Sequence, residues 1–110
     1  MTTLEILAWL LIGHALADYA LQTEWVARAK QPGFTFGGEV IWPGVLASHA
    51  AIHAGAVKLA TGSWLLAGLE FVTHAAIDYA RGRGRLSYNG DQAAHVACKA
   101  LWTLLTWWGM

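Results

Sequence analysis

Histidine and acidic side chains recur at intervals of four residues along this chain. An interval of four places successive side chains on one face of an α-helix. Imidazole and carboxylate groups that share a face can bind zinc, manganese or iron. The spacing therefore predicts four helices, each with a polar stripe suited to metal binding. The four sets are His14, Asp18 and Gln22; His49 and His53; Glu70, His74 and Asp78; and Asp91, His95 and Lys99.

The segments that carry these stripes are otherwise apolar. We predict an all-α fold with four antiparallel helices in a single domain, residues 1–110. Glycines and a proline between the first two helices predict a polar, Gly-rich loop. Ser63 is a suitable N-cap for the third helix. The predicted helices cover about residues 4–28, 42–60, 64–81 and 89–108.

The composition is unusual for a soluble domain. Hydrophobic residues make up 56% of the chain and charged residues 13%, whereas soluble domains carry about 25% charged residues. A soluble four-helix bundle, the alternative, has polar outer faces opposite an apolar stripe. Here apolar residues surround each polar stripe. We therefore expect a transmembrane bundle of four antiparallel helices in the lipid bilayer, with a buried polar His/carboxylate site.

The distribution of charge predicts how this bundle is oriented. Five of the seven Lys and Arg residues lie in or beside the first and third loops, and tryptophans lie near the helix ends. By the positive-inside rule, the basic loops are cytoplasmic and both termini lie outside. The balance of seven basic and seven acidic residues gives no reason to expect a nucleic-acid partner.

Ionisable side chains inside a membrane are costly, so they indicate function. We expect one or two divalent ions, zinc or manganese, with iron as a further option. The alternative is a hydrogen-bond network that fixes helix packing. The single cysteine, Cys98, excludes an internal disulfide and a cysteine-based zinc cage. The predicted metal ligands are Asp18, His49, His74, Asp78 and His95, with His14 and His53 as alternates.

Other residues of the stripes have predicted catalytic or binding roles. Glu70 is predicted to act as the general base, and Asp91 as an acid that supports the ligands. We predict that an anionic head group binds to three cationic side chains, those of Lys99, Arg81 and Lys30. A rise of about 1.5 Å per residue places the stripes in layers, with the site opening toward the basic loops.

These motifs resemble domain-of-unknown-function family 3307, small membrane proteins of bacteria and their phages. The resemblance covers nearly the whole chain. Family proteins often carry Lys just after the third motif, where this chain has Arg81. The resemblance implies a polytopic protein of the bacterial inner (plasma) membrane and brings no established activity. The matching stretches are GHALADYALQ (Gly13–Gln22), HAAIH (His49–His53), EFVTHAAID (Glu70–Asp78) and DQAAH (Asp91–His95).

A looser similarity to membrane-bound metal-dependent hydrolases favours one function. We expect a metal-dependent hydrolase that acts on a lipid-linked or phosphorylated substrate near the cytoplasmic face. One alternative is a channel, carrier or regulator that handles metal ions or protons. Another is a structural membrane protein of a phage. The chain could also assemble as a homo-oligomer, because four short helices can associate further.

Overall fold

The computed structural model describes all 110 residues and is mostly helical. This confirms the predicted all-α class. Four long helices form the body, and four short elements lie between the first and the second of them. In chain order the elements are α1 (Thr3–Ala15), a π-helical turn (Leu16–Ala20), α2 (Glu24–Ala29), β1 (Thr35–Phe36), β2 (Glu39–Val40), α3 (Trp42–Thr61), α4 (Trp64–Gly82) and α5 (Tyr88–Trp107).

The first predicted helix, residues 4–28, is not continuous. It widens into the π-helical turn, breaks after Leu21, and restarts at α2, where the Thr23 hydroxyl caps the helix by accepting from the Val26 N–H. The side-chain amide of Gln22 donates to the Asp18 carbonyl at 3.0 Å across this break. Turns of π-helix often occur at functional sites, and this one contains Asp18.

The predicted Gly-rich loop contains a small β-hairpin. Thr35 pairs with Val40 and Phe36 with Glu39 in antiparallel register. Gly37 and Gly38 form the turn with φ of 58° and 82°. Two consecutive residues with positive φ fit the tight turn that joins short hairpins, and glycine adopts that conformation at no steric cost.

The four long helices form a ring in which each packs on two neighbours. Helix α3 contacts α1 and α4, and α5 contacts α1 and α4. Gly62 ends α3 with a φ of 75°, and the Ser63 hydroxyl caps α4 by accepting from Leu66 N–H, as predicted. The ring is elongated, with extents of 48 × 24 × 22 Å.

Burial in this ring is reversed relative to a soluble bundle. Ten of the 20 buried residues are polar or charged. The apolar core is a cluster of five residues at the end remote from the hairpin, and many large apolar side chains are exposed on the outside. Leu59, Trp64 and Leu4 are the most exposed of these, at 86%, 76% and 75%. The apolar core cluster comprises Leu10, Val57, Ala60, Leu66 and Trp102.

Length and composition do not support the predicted four membrane spans. Only the stretch Thr3–Ala20 is long and apolar enough to cross a membrane, with a mean hydropathy of 1.2 over 18 residues. One such helix near the N-terminus is weak evidence of insertion. The polar stripes on α3, α4 and α5 lower the mean hydropathy of those helices.

Candidate metal centre

All seven predicted metal ligands meet in the middle of the ring, although they come from four different segments. Their ligand atoms form three overlapping groups, and within each group all the atoms lie within 4.8 Å of one another. Such buried His/Asp groups could hold a metal ion. The groups are Asp18, His49, His53 and His74; His14, His74 and His95; and Asp78, Asp91 and His95.

Asp18 lies at the centre of the first group. Its Oδ1 is 2.9 Å from His53 Nε2 and 3.2 Å from His49 Nε2. Its Oδ2 accepts from Gln92 Nε2 at 3.2 Å. The π-helical turn, which supplies Asp18, therefore places one carboxylate against two imidazoles of α3.

Asp78 has the same central position on the other side of the cluster. Its Oδ1 is 3.0 Å from His95 Nε2, and its Oδ2 accepts from Lys30 Nζ at 2.9 Å. His49 Nε2 lies 3.5 Å from the same Oδ2. Lys30 follows directly after α2, so the break in the first helix also brings a cation to the site.

His74 has a defined orientation because Glu70 holds its other ring nitrogen. His74 Nδ1 lies 2.9 Å from Glu70 Oε2. An ionised carboxylate only accepts hydrogen bonds, so the Nδ1 must carry the proton. His74 Nε2 lies 3.4 Å from Asp78 Oδ2 and 3.8 Å from Asp18 Oδ1, and in a neutral His74 it presents a lone pair to both. This nitrogen is buried and has no hydrogen-bond partner.

Glu70 is held in its ionised form by two further donors. Its Oε1 accepts from Lys99 Nζ at 2.7 Å and from Trp102 Nε1 at 2.8 Å. Glu70 is 0% exposed and Lys99 is 1% exposed. Lys99 therefore lies in the core beside Glu70 rather than at a surface where a head group could reach it. Trp102 was not among the predicted site residues, although it lies three residues after Lys99 on the same helical face.

Gln92 is the second contributor that was missed from the sequence. Its Oε1 lies 3.0 Å from His14 Nε2, and its Nε2 donates to Asp18 Oδ2 and, at 3.1 Å, to Asp91 Oδ2. It therefore links α5 to α1. Its position three residues before His95 places it on the polar face of α5, so the signal was present in the spacing.

The charges of the cluster do not balance with neutral imidazoles. The site contains four carboxylates, from Asp18, Glu70, Asp78 and Asp91, and only two ammonium groups, from Lys30 and Lys99. Buried charge is unfavourable unless it is compensated. Several buried polar atoms also have no hydrogen-bond partner: His14 Nδ1, Gln22 Oε1, His53 Nδ1, His74 Nε2, Asp91 Oδ1 and His95 Nδ1.

A polar cleft of about 160 Å³ leads to the cluster from the side of the basic loops. Asp18, Asp78 and Asp91 line its inner wall, and Lys30 and Arg81 contribute cationic groups. The Tyr19 and Tyr88 hydroxyls contact each other at the wall of this cleft. At the opposite end, the apolar core cluster closes the ring. The candidate site is therefore open at one end only.

The comparisons with known proteins identify the family and add no activity. No curated protein and no solved structure matches the chain. One family model matches residues 6–109, which contain every residue of the cluster. The chain therefore belongs to the family described as "Protein of unknown function (DUF3307)".

Proposed function

We propose that this protein is a metal-binding protein whose centre holds a divalent ion, zinc or manganese, among Asp18, His49, His53 and His74. One observation carries the proposal. The buried Nε2 of His74 has no hydrogen-bond partner and lies 3.4 Å and 3.8 Å from two aspartate oxygens. In a neutral imidazole whose proton is on Nδ1, this nitrogen carries a lone pair. A lone pair and two carboxylates repel one another unless a cation lies between them.

The spacing of these atoms suits a small divalent ion. Zinc bonds to nitrogen and oxygen are about 2.0–2.1 Å long, so tetrahedral ligand atoms lie about 3.4 Å apart. The distances from Asp18 Oδ1 to the three histidine Nε2 atoms range from 2.9 to 3.8 Å. A carboxylate that orients a ligating histidine, as Glu70 orients His74, is a common feature of metal centres. A second ion would take Asp78, Asp91 and His95 as ligands.

A divalent ion would also balance the charge of the cluster. The buried carboxylates exceed the ammonium groups by two, so one such ion brings the site to neutrality. Protonation of two imidazoles would do the same, and this is the basis of the alternative in which the cluster is a hydrogen-bond network. The two states differ in whether a chelator changes the protein.

We propose further that the bundle is embedded in a membrane. The large apolar side chains on its outside and the polar residues in its interior support this placement, because lipid favours the first and cannot solvate the second. Helices with a polar inner stripe can span a bilayer as a bundle even when their average hydropathy is moderate. Resistance of the protein to extraction from membranes by alkaline carbonate tests the placement, and release into the wash would contradict it.

Hydrolysis is the reaction that this site supports best. A bound ion would act as a Lewis acid that activates water and polarises the scissile group. The water oxygen would bond to phosphorus or an acyl carbon, the ester bond would break, and the proton lost by the water would pass to the leaving alcohol. Asp91, which lines the cleft, is the carboxylate that we propose to carry this proton. Glu70, the base expected from the sequence, lies behind His74 and serves to position it.

The alternative of a channel or carrier receives less support from the geometry. A transport pathway needs polar groups that reach both faces, whereas the apolar core cluster closes one end of this ring. A structural membrane protein of a phage would need the packing of the cluster but no cleft leading to it.

Elemental analysis of protein purified in a mild detergent tests the metal centre. We expect about one transition-metal ion per chain, and at least about tenfold less in His74→Ala and Asp78→Ala, as loss of a ligand or of its near neighbours usually causes. Thr73→Ala is the matched control, because this residue precedes His74 but bonds only to backbone carbonyls of its own helix. A wild-type protein without metal above background would contradict the proposal.

A further inference from the structure

Three apolar hollows lie end to end along the seam where α1 and its π-helical turn meet α3. The first has a volume of about 440 Å³ and the second about 480 Å³, and both are lined by Leu21 and Ile52. The third, of about 330 Å³, shares Leu16 and Ala56 with the second. Neighbouring hollows share lining residues, so they follow one another in a row along this seam, and we call the row the seam groove.

The seam groove follows most of the length of α3. Its lining on that helix extends from Gly44 to Ala60, which corresponds to about 24 Å at a rise of about 1.5 Å per residue. Glycines open it. A Cβ added to Gly44 or Gly55 would have no atom within 4 Å. At Gly13 the two helices approach closely, since an added Cβ would lie 3.2 Å from Ala56 Cβ.

One end of the seam groove reaches the candidate metal centre. His49, a proposed ligand, and Ser48 line the first hollow together with apolar side chains. The polar cleft lies on the other side of the same chain segment, because Leu21 lines the groove and Gln22 lines the cleft. The cations of that cleft, Lys30, which pairs with Asp78, and Arg81, are therefore at the same end of the bundle as His49. Three carboxylates line the same cleft, so an anionic group there would be held by these cations together with the proposed metal ion.

From this arrangement we propose that the seam groove holds a hydrocarbon chain of a lipid phosphate, whose head group meets the cluster through the polar cleft. The proposal rests on the proposed function and names its substrate class. A free phosphate would bind to the cations of the polar cleft, but it has no hydrocarbon chain to occupy the seam groove. A helix from a second copy would fill the groove and bring no anion to Lys30 and Arg81. A lipid phosphate satisfies both features at once.

A glycine substitution fills the seam groove without disturbing the helix packing. Gly55→Leu places an apolar side chain in the second hollow, where an added Cβ contacts nothing. Gly68→Leu is the matched control, since Gly68 is an equally open and exposed glycine on α4, away from the groove. Native mass spectrometry then counts the lipids that each chain retains in dodecyl maltoside micelles with the non-hydrolysable phosphonate analogue of dioleoylphosphatidic acid, which we call the phosphatidic acid. The metal content of the same samples is measured in parallel.

We expect the wild type and Gly68→Leu to retain one phosphatidic acid per chain. Gly55→Leu should retain at least about tenfold less, because an overfilled hollow rejects the chain, while all three keep the same metal content. Equal lipid retention in Gly55→Leu and Gly68→Leu, with metal present, overturns the lipid inference and leaves the metal centre standing. Absence of metal from the wild type overturns the proposed function instead.

Three further probes test the choice of occupant. Dioleoylphosphatidylcholine and dioleoylglycerol should be retained more weakly than the phosphatidic acid, because neither carries an exposed phosphate monoester. Equal retention of either one overturns the head-group assignment. Two other outcomes overturn the role of the groove in binding a lipid chain. One is complete displacement of the phosphatidic acid by inorganic phosphate alone, and the other is a dimer that Gly55→Leu abolishes.

Discussion

The two ends of the helical ring are packed by different forces. At the end near the hairpin, four carboxylates, five histidines and two lysines hold the helices together through hydrogen bonds and ion pairs. At the other end, Leu10, Val57, Ala60, Leu66 and Trp102 form a small apolar core. Dispersion contacts in the apolar end tolerate small changes, whereas each polar group in the cluster depends on its partners.

The comparison suggests that the residues that stabilise the bundle and the residues of the candidate metal centre lie at different ends of the ring. The apolar end can hold the bundle closed without any ligand. The polar end combines buried polar atoms that lack hydrogen-bond partners with four carboxylates against two ammonium groups, so we expect its stability to depend on the proposed cation. Glu70, Lys99 and Trp102 lie at the boundary, because Trp102 belongs to the apolar core cluster and donates to Glu70. Substitutions at the boundary and at each end test this division.

The largest effect is expected at the boundary. Glu70→Ala removes the partner of a fully buried ammonium group, and breaking a buried pair in this way costs about 3–5 kcal/mol. The double variant Glu70→Leu with Lys99→Met replaces both charges by apolar groups, and we expect it to regain part of that loss, since Trp102 Nε1 and His74 Nδ1 still lack their acceptor. Reversible unfolding in detergent with increasing dodecyl sulfate measures both. A double variant as unstable as Glu70→Ala would mean that the loss comes from those two donors rather than from the unpaired ammonium group.

Removal of the metal should lower the stability of the protein through the polar end only. A ligand at a concentration about 100 times its dissociation constant stabilises a protein by about 2.7 kcal/mol. We expect a strong chelator to lower the thermal midpoint in detergent accordingly, and added zinc or manganese to restore it. The variant His74→Ala serves as control and should not respond. Identical melting curves for apo and untreated wild type would favour the hydrogen-bond network over the metal centre.

The smallest effect is expected from the apolar end. Val57→Ala deletes two buried methyl groups, each worth about 0.8 kcal/mol of burial, so the loss is about 1–2 kcal/mol. The metal content and the chelator response should remain those of the wild type, since Val57 belongs to the apolar core cluster and has no side-chain atom that can bind a metal. A change in metal content on this substitution would show that the two ends are coupled.

Much of the candidate site was predictable from spacing alone. Residues four apart on a helix share a face whatever the helix packs against, so the stripes of α3, α4 and α5 were correctly predicted to converge. Two residues of the candidate site were not predicted, for a different reason. Gln92 and Trp102 lie on the same face as His95 and Lys99, but neither falls in the interval of four that joins Asp91, His95 and Lys99, and neither carries an imidazole or a carboxylate.

Other features could not be predicted because they depend on partners distant in the chain. Glu70 and Lys99 each lie on a predicted stripe, and only the packing of α4 on α5 makes them partners of each other rather than groups at an opening. The break after Leu21 likewise follows no proline or glycine. It allows Lys30 to reach Asp78, a contact between residues 48 positions apart.

The amino-acid sequence by itself determined the all-α class, the four polar stripes and the family, because these depend on local spacing and on residue types. The tertiary structure decided which stripe atoms face one another, which carboxylate orients His74, and where the cleft and the seam groove lie. Those features are set by distances of a few ångströms between helices, and such distances depend on how side chains of separate segments pack.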